Sequence, residues 1–140
     1  MKKYIWLLLA VFMMVLVACS KTAMNSSKII GSWRVVRQEW LYNDKTDPVP
    51  YDASLDIVVE FQQDGKLMYT DMNGNPNYHF AGEWTIKGDN LTLKFYAPAK
   101  NIYSGKYVIT SLYRKSMGIV YLSGDSPSVD SPLGIFLEKV

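Results

Sequence analysis

From Ile29 onward, apolar and polar positions alternate with a period of two, interrupted every eight to twelve residues by turn chemistry. No stretch holds a 3.6-residue period for three turns, so the pattern predicts an all-β domain. The first strand is expected over Ile30 to Trp40, followed by a loop, LYNDKTDPVPYD, in which Pro48 and Pro50 remove ladder donors. Leu55, Ile57, Val59 and Phe61 then share one face opposite Asp56, Glu60 and Gln62, and Gln63-Asp64-Gly65 supplies a tight hairpin. Leu67 and Tyr69 continue the apolar face on a third strand, and DMNGNPN turns the chain into a fourth, where Tyr78, Phe80, Gly82, Trp84 and Ile86 alternate with His79, Ala81, Glu83, Thr85 and Lys87. After Lys87-Gly88-Asp89-Asn90 come Leu91, Leu93 and Phe95 on a fifth strand, then the APAKN loop and a sixth strand from Tyr103 to Leu112. YRKSMG leads to a short strand over Ile119 to Leu122, and SGDSPSVDSP to a last one over Gly134 to Lys139.

Eight strands in meander order, each with one apolar face, leave two adhesive edges unless the first pairs with the last. Closure into an antiparallel up-and-down eight-stranded barrel is therefore the expected architecture, with a two-sheet sandwich as the alternative. Parity sends Phe61, Tyr69, Phe80, Trp84, Phe95 and Tyr107 inward as the candidate ligand-lining set. An eight-stranded interior is just wide enough to be filled by side chains or to hold one small molecule, and both readings stay open at this point. Gly31 permits a close backbone approach, and Trp33 is large enough to plug one end, its indole N–H finding a backbone carbonyl.

The first twenty residues follow another logic. Lys2 and Lys3 precede fifteen apolar or aromatic residues, Tyr4 to Ala18, and then Cys19, the one cysteine in the chain. That is the layout of an export signal, shorter than the roughly 20 apolar residues a spanning helix needs. Leu16-Val17-Ala18-Cys19 resembles the lipobox of bacterial lipoproteins, which implies cleavage before Cys19, a diacylglycerol on its thiol and an acyl chain on its new amino group. Each buried methylene contributes about 0.8 kcal/mol, so several chains make a lasting anchor. The domains expected are thus residues 1–18 as signal peptide, 19–28 as lipidated cysteine and polar tether, and 29–140 as the barrel. Ser20 after the cysteine lacks the aspartate associated with inner-membrane retention, and no acidic cluster follows. The expected location is the outer membrane, with the domain facing the periplasm.

Charge adds little beyond that. Loss of residues 1–18 removes Lys2 and Lys3 and no acid, so the 15 basic residues fall to parity with the 13 acidic ones. No basic excess then argues for nucleic acid. Asp71, Asn73 and Asn75 have the spacing of the first calcium ligands of an EF-hand, but Pro76 stands at the glycine position and Glu83 falls one residue late, so a polar turn is the better reading. His79 is the single histidine and faces outward, and Asp56 and Glu60 lie on an exposed face; neither arrangement marks a catalytic, metal or cofactor site. Trp40, Tyr42 and Tyr51 flank the long first loop, where aromatic side chains gate a cavity, stack on a sugar, dock a protein or simply cover the barrel end.

Ile30-Gly31-Ser32-Trp33, the run Phe61 to Leu67 (FQQDGKL) and the run Gly82 to Leu93 (GEWTIKGDNLTL), together with YVITSL at Tyr107 to Leu112, resemble the lipocalin-like domains of small bacterial lipoproteins. The resemblance implies a compact barrel that carries a small apolar molecule. Where lipocalins commonly lay an arginine from the last strand over the first-strand tryptophan, this chain offers Lys139. The leading expectation is a membrane-anchored, non-enzymatic binder of a small apolar or amphipathic ligand. The alternative is a packed barrel whose rim loops bind an envelope protein or a glycan.

Overall fold

The computed structural model describes residues 2–42, 45–48, 55–96, 104–124 and 133–140. A helix, α1 (Lys2–Ile29), leads into β1 (Gly31–Tyr42), β2 (Lys45–Pro48), β3 (Ile57–Phe61), β4 (Lys66–Asp71), a 3-10 turn at Pro76–Tyr78, β5 (His79–Lys87), β6 (Asn90–Phe95), β7 (Gly105–Leu112), β8 (Ser116–Gly124) and β9 (Leu133–Lys139). Every ladder is antiparallel; β1 pairs with β2 and also with β3, each later strand pairs with the next, and β1 also pairs with β9 from Trp33–Lys139 to Trp40–Leu133. That last ladder closes β1 and β3 to β9 into an eight-stranded barrel. β2 lies outside the closure as a hairpin extension of β1, with Trp40 opposite Asp47 and Tyr42 opposite Lys45.

β2 falls where the sequence suggested a loop. It ends at Pro48 and has β1 as its one neighbour, the edge position in which a missing N–H is tolerated. Closure also needs extra local twist, which irregularities supply on three strands around β9. Register shifts occur between Val35 and Arg37, between Lys106 and Tyr107, and between Ile109 and Ser111. The first interrupts the alternation of β1, so Val36 and Arg37 are both exposed.

Glycines act at the closest approaches. A Cβ on Gly82 would overlap the carbonyl of Lys94 and stand 2.9 Å from the Phe95 Cα, so β5 and β6 cross too tightly for any side chain there. Gly65 and Gly88 take φ of 83° and 62° in the β3–β4 and β5–β6 turns, as the turn chemistry anticipated.

The segment 21–28, read from its polarity as a tether, is instead the end of α1 and is held on the β5–β6 turn. Asn25 donates to the Gly88 carbonyl at 2.8 Å and to Asp89 Oδ1 at 3.2 Å, Gly88 N–H donates to Thr22 Oγ1 at 2.8 Å, and Lys21 pairs with Asp89 at 2.6 Å. Asn25 is accordingly buried although polar. Four tertiary contacts override a sequence with little intrinsic order.

Two outcomes are expected in chemical denaturation. Gly82→Ala destabilises by about 1–3 kcal/mol through overpacking, whereas Gly74→Ala, whose Cβ meets nothing within 4 Å, costs only the strain of its positive φ. Asn25→Ala costs about 1 kcal/mol and raises amide exchange over residues 21–29 while leaving exchange in β3 to β6 unchanged.

Candidate functional site

The strands define two unlike ends. At the first, β1 begins, β9 finishes, and the short turns after β3, β5 and β7 gather, with Lys139 N–H donating to the Lys115 carbonyl at 2.9 Å. Here the helix end is stoppered. Trp33 is fully buried and its Nε1–H donates to the Ile29 carbonyl at 2.7 Å. Lys139 Nζ lies 5.0 Å from the Trp33 ring centroid and donates to the Ile30 carbonyl at 2.9 Å and the Lys28 carbonyl at 3.4 Å. Lys139, which the sequence offered in place of an arginine, therefore does cover the indole, with an ammonium instead of a planar guanidinium. It also places positive charge at the carbonyl end of α1. Gly31, with φ of 126°, is what lets it pass: a Cβ there would stand 2.8 Å from Lys139 Cε.

The other end is reached by the start of β3, β5, β7 and β9 and by the finish of β4, β6 and β8. All six candidate interior aromatics face inward, but in three separate groups. Phe61 and Trp84 meet edge to face at 5.7 Å near the stoppered end, where Trp84 Nε1–H donates to the Gln62 carbonyl at 3.0 Å. Tyr69 contacts Phe80 at 5.7 Å and Phe95 at 6.0 Å on the β4–β6 wall. Tyr107 meets Tyr121 at 5.2 Å on the β7–β8 wall.

Burial differs along the axis. The most completely sealed large side chains, Trp33, Phe61, Ile29, Leu67, Leu91 and Met117, all belong to the stoppered end. Tyr69, Phe80, Tyr78, Leu55 and Leu133, toward the other end, pack against the core yet stay half-buried. At the stoppered rim the only comparable side chains among the described residues are the aliphatic Ile30, Ile86 and Leu112. Among the described residues this end is thus a less buried, largely aromatic mouth; residues 49–54, 97–103 and 125–132, which join the strands there, lie outside them.

Polar groups near that mouth serve the backbone. Asp71, buried at the end of β4, accepts from Asp56 N–H at 2.8 Å, Asn73 N–H at 3.1 Å and Asn75 N–H at 3.3 Å, so the EF-hand-like spacing is a carboxylate-centred turn. Buried Ser104 accepts from Phe95 N–H at 2.8 Å. His79 is exposed, its Nδ1 3.2 Å from Thr70 Oγ1. On the outer wall, the hydrogen bond from Tyr96 to Glu83 and the negative charge beside it push the tyrosine hydroxyl pKa up from its ordinary value. Among the described residues no cluster of three His, Cys, Asp or Glu side chains is disposed to hold a metal ion.

Trp40 and Tyr42 belong to β1 rather than to a loop; their side chains, like that of Cys19 in α1, lie outside the described residues, as does Tyr51 altogether. Sequence reasoning missed Tyr121 on β8, because Ile119 to Leu122 is an unbroken apolar run that hides the alternation. A concavity of about 320 Å³ lies on the outer wall between Val36, Arg37, Ser111, Ser116, Phe136 and Glu138, with the Arg37 guanidinium 4.1 Å over the Phe136 ring.

A family model described as a lipocalin-like domain matches residues 29–124. No curated protein matches the chain. Among solved structures, a lipocalin-like protein from Bacteroides uniformis is similar over 81% of this chain and 99% of its own, with a TM-score of 0.52 at 14% identity. An uncharacterized protein from Bacteroides eggerthii is similar over 80% of this chain and 99% of its own, with a TM-score of 0.52 at 17% identity. Identities this low bear on the fold alone.

Lys139→Met retains most of the side chain's apolar stem but loses its charge. We expect it to lower stability by about 1–2 kcal/mol through the two carbonyls and the indole face left unpaired, measured by urea unfolding; no change would remove Lys139 from the stopper.

Proposed function

This chain belongs to the lipocalin-like domain family, and with that membership as premise we propose that it is a lipid-anchored, non-catalytic protein of the cell envelope that binds a small apolar or amphipathic molecule through the open end of its barrel. The observation that carries the reading is the difference between the two ends: one is sealed by Trp33, Lys139 and the end of α1, and the other keeps Tyr69, Phe80 and Leu133 half-buried around an apolar interior. An interior whose apolar wall remains in contact with water gains free energy when an apolar guest displaces that water.

Anchoring rests on the sequence. Lys2 and Lys3, the run Tyr4 to Ala18 and Leu16-Val17-Ala18-Cys19 support cleavage before Cys19 and acylation of both its thiol and its amino group. Ser20 and the lack of an acidic cluster after it favour the outer membrane, facing the periplasm. Lys21, two positions beyond Cys19, already pairs with Asp89 on the β5–β6 turn. Fatty chains attached at Cys19 therefore hold the stoppered end toward the bilayer, and the mouth looks away from it.

The second reading, a packed barrel that binds an envelope protein or a glycan at its rim, is favoured by the three groups of touching aromatic rings that occupy much of the interior. One preparation separates the two. Protein purified from its native membrane and examined by mass spectrometry is expected to carry acyl chains on Cys19 and to release one small apolar molecule per chain. Cys19→Ser is expected to leave the membrane fraction while remaining folded. An unmodified thiol contradicts the anchor. A chain that releases no small molecule, and that loses a bound protein or glycan when Trp40 and Tyr42 are replaced by alanine, supports the second reading.

A further inference from the structure

Every turn of the stoppered end is among the described residues, and its charge is one-sided. Residues 21–28 of α1, the turns at 62–66, 87–90 and 113–116, and residues 138–140 carry seven lysines and arginines against three acids. Residues 19–140 hold 13 of each, so the rest of that span has six basic residues against ten acidic ones. The acids of this end are already engaged or turned aside. Asp89 pairs with Lys21 at 2.6 Å, Asp64 with Lys66 at 3.5 Å, and Glu138 faces the concavity on the outer wall. Lys28, Lys87, Arg114 and Lys115 are exposed and, among the described residues, enter no ion pair. Solvation asks for charge at a surface, but not for one sign of it gathered at one end.

Apolar side chains stand out among these cations. The end of α1 lies across the barrel end, from the Lys28 carbonyl at the Lys139 ammonium to Asn25 and Lys21 on the β5–β6 turn. Thr22, Asn25 and Ile29 face the barrel, whereas Lys21, Met24 and Lys28, spaced i, i+3 and i+7, share a second side that is exposed, Met24 by 49%. The β7–β8 turn is pinned at its base: Tyr113 N–H donates to the Ser116 carbonyl at 2.8 Å, and Lys139 N–H to the Lys115 carbonyl at 2.9 Å. Its side chains Tyr113, Arg114 and Lys115 all project into solvent, Tyr113 by 67%. A ring or thioether set between cations on a rigid surface matches a phospholipid headgroup layer, which takes up the apolar group while its phosphates meet the ammonium and guanidinium groups.

We propose that the stoppered end is a docking face for anionic phospholipid headgroups, held by Lys28, Lys87, Arg114 and Lys115 with Tyr113 and Met24 entering between them. This rests on the lipid anchor read at Cys19 and adds to it a second, charge-dependent contact with the bilayer. An acyl anchor at one point leaves the domain free to tilt, whereas cations spread over three elements hold the end flat against the leaflet.

The test uses protein purified from its native membrane and reconstituted into nanodiscs of phosphatidylcholine, alone or mixed with phosphatidylglycerol. A water-soluble amine-acylating reagent labels exposed lysines, and mass spectrometry reads the rate at each site. With phosphatidylglycerol present we expect labelling of Lys28, Lys87 and Lys115 to slow by roughly fivefold or more, the factor that one cation contributes at an anionic leaflet. Lys94 and Lys106, exposed on the outer wall, keep their rates. Molar salt restores the lost rates. In Arg114→Ser/Lys115→Ser the protection of Lys28 and Lys87 weakens while the urea unfolding midpoint holds. Equal labelling in the two kinds of disc overturns the inference, as does protection that survives molar salt or that extends equally to Lys94 and Lys106. With any of those results, acyl chains found on Cys19 in the same spectra leave the anchor reading standing. An unmodified thiol in protein that separates from the discs on flotation overturns both.

Discussion

The ladder between β1 and β9 is the constraint on which the rest depends. It joins Trp33 to Lys139 at one extreme and Trp40 to Leu133 at the other, and it turns eight strands with two adhesive edges into a wall with none. Only with that wall closed do the alternating side chains of every strand share one interior. The register shifts on β1, β7 and β8 follow from the same demand, since a sheet this narrow must coil sharply to meet itself. So does Gly82, where β5 and β6 approach too closely for a Cβ. β2 sits outside the closure and, among the described residues, is bonded to β1 alone.

Closure makes a tube, and the end of α1 stops one end of it. Trp33, Lys139 and the carbonyls of Lys28, Ile29 and Ile30 satisfy one another at the stoppered end, and Gly31 gives the lysine its passage. The helix end gains partners for carbonyls that would otherwise face outward unpaired. Asn25 and Thr22 fasten the same helix to the next turn of the barrel. Residues 21–29 are thereby a strut fixed to the barrel rather than a free tether.

The barrel was largely legible because period-two alternation survives wherever one face meets water and the other does not. Phe61, Trp84, Phe95 and Tyr107 stand inside for that reason, and Tyr69 and Phe80 beside them. What the sequence concealed depended on tertiary contact or on local uniformity. Residues 21–28 are polar and without period, and only the Gly88-Asp89 turn holds them as helix. β2 contains a proline and is short, which reads as loop until its partner strand is known. Lys139 has no planar guanidinium to stack, yet its ammonium reaches both the Trp33 ring and two carbonyls. Tyr121 was hidden because Val120 and Leu122, on the opposite face of β8, are apolar too.

The central claim is that an apolar guest occupies the inside of the barrel from its aromatic mouth. The most direct measurement is a map of chemical-shift changes in the backbone and methyl resonances as an apolar probe is titrated into the labelled protein. The account predicts saturable changes at Tyr69, Phe80, Tyr121 and Leu133, with Trp33 and Phe61 at the stoppered end little affected. Changes confined to the outer concavity around Val36 and Phe136, or the lack of any saturable change, would contradict it.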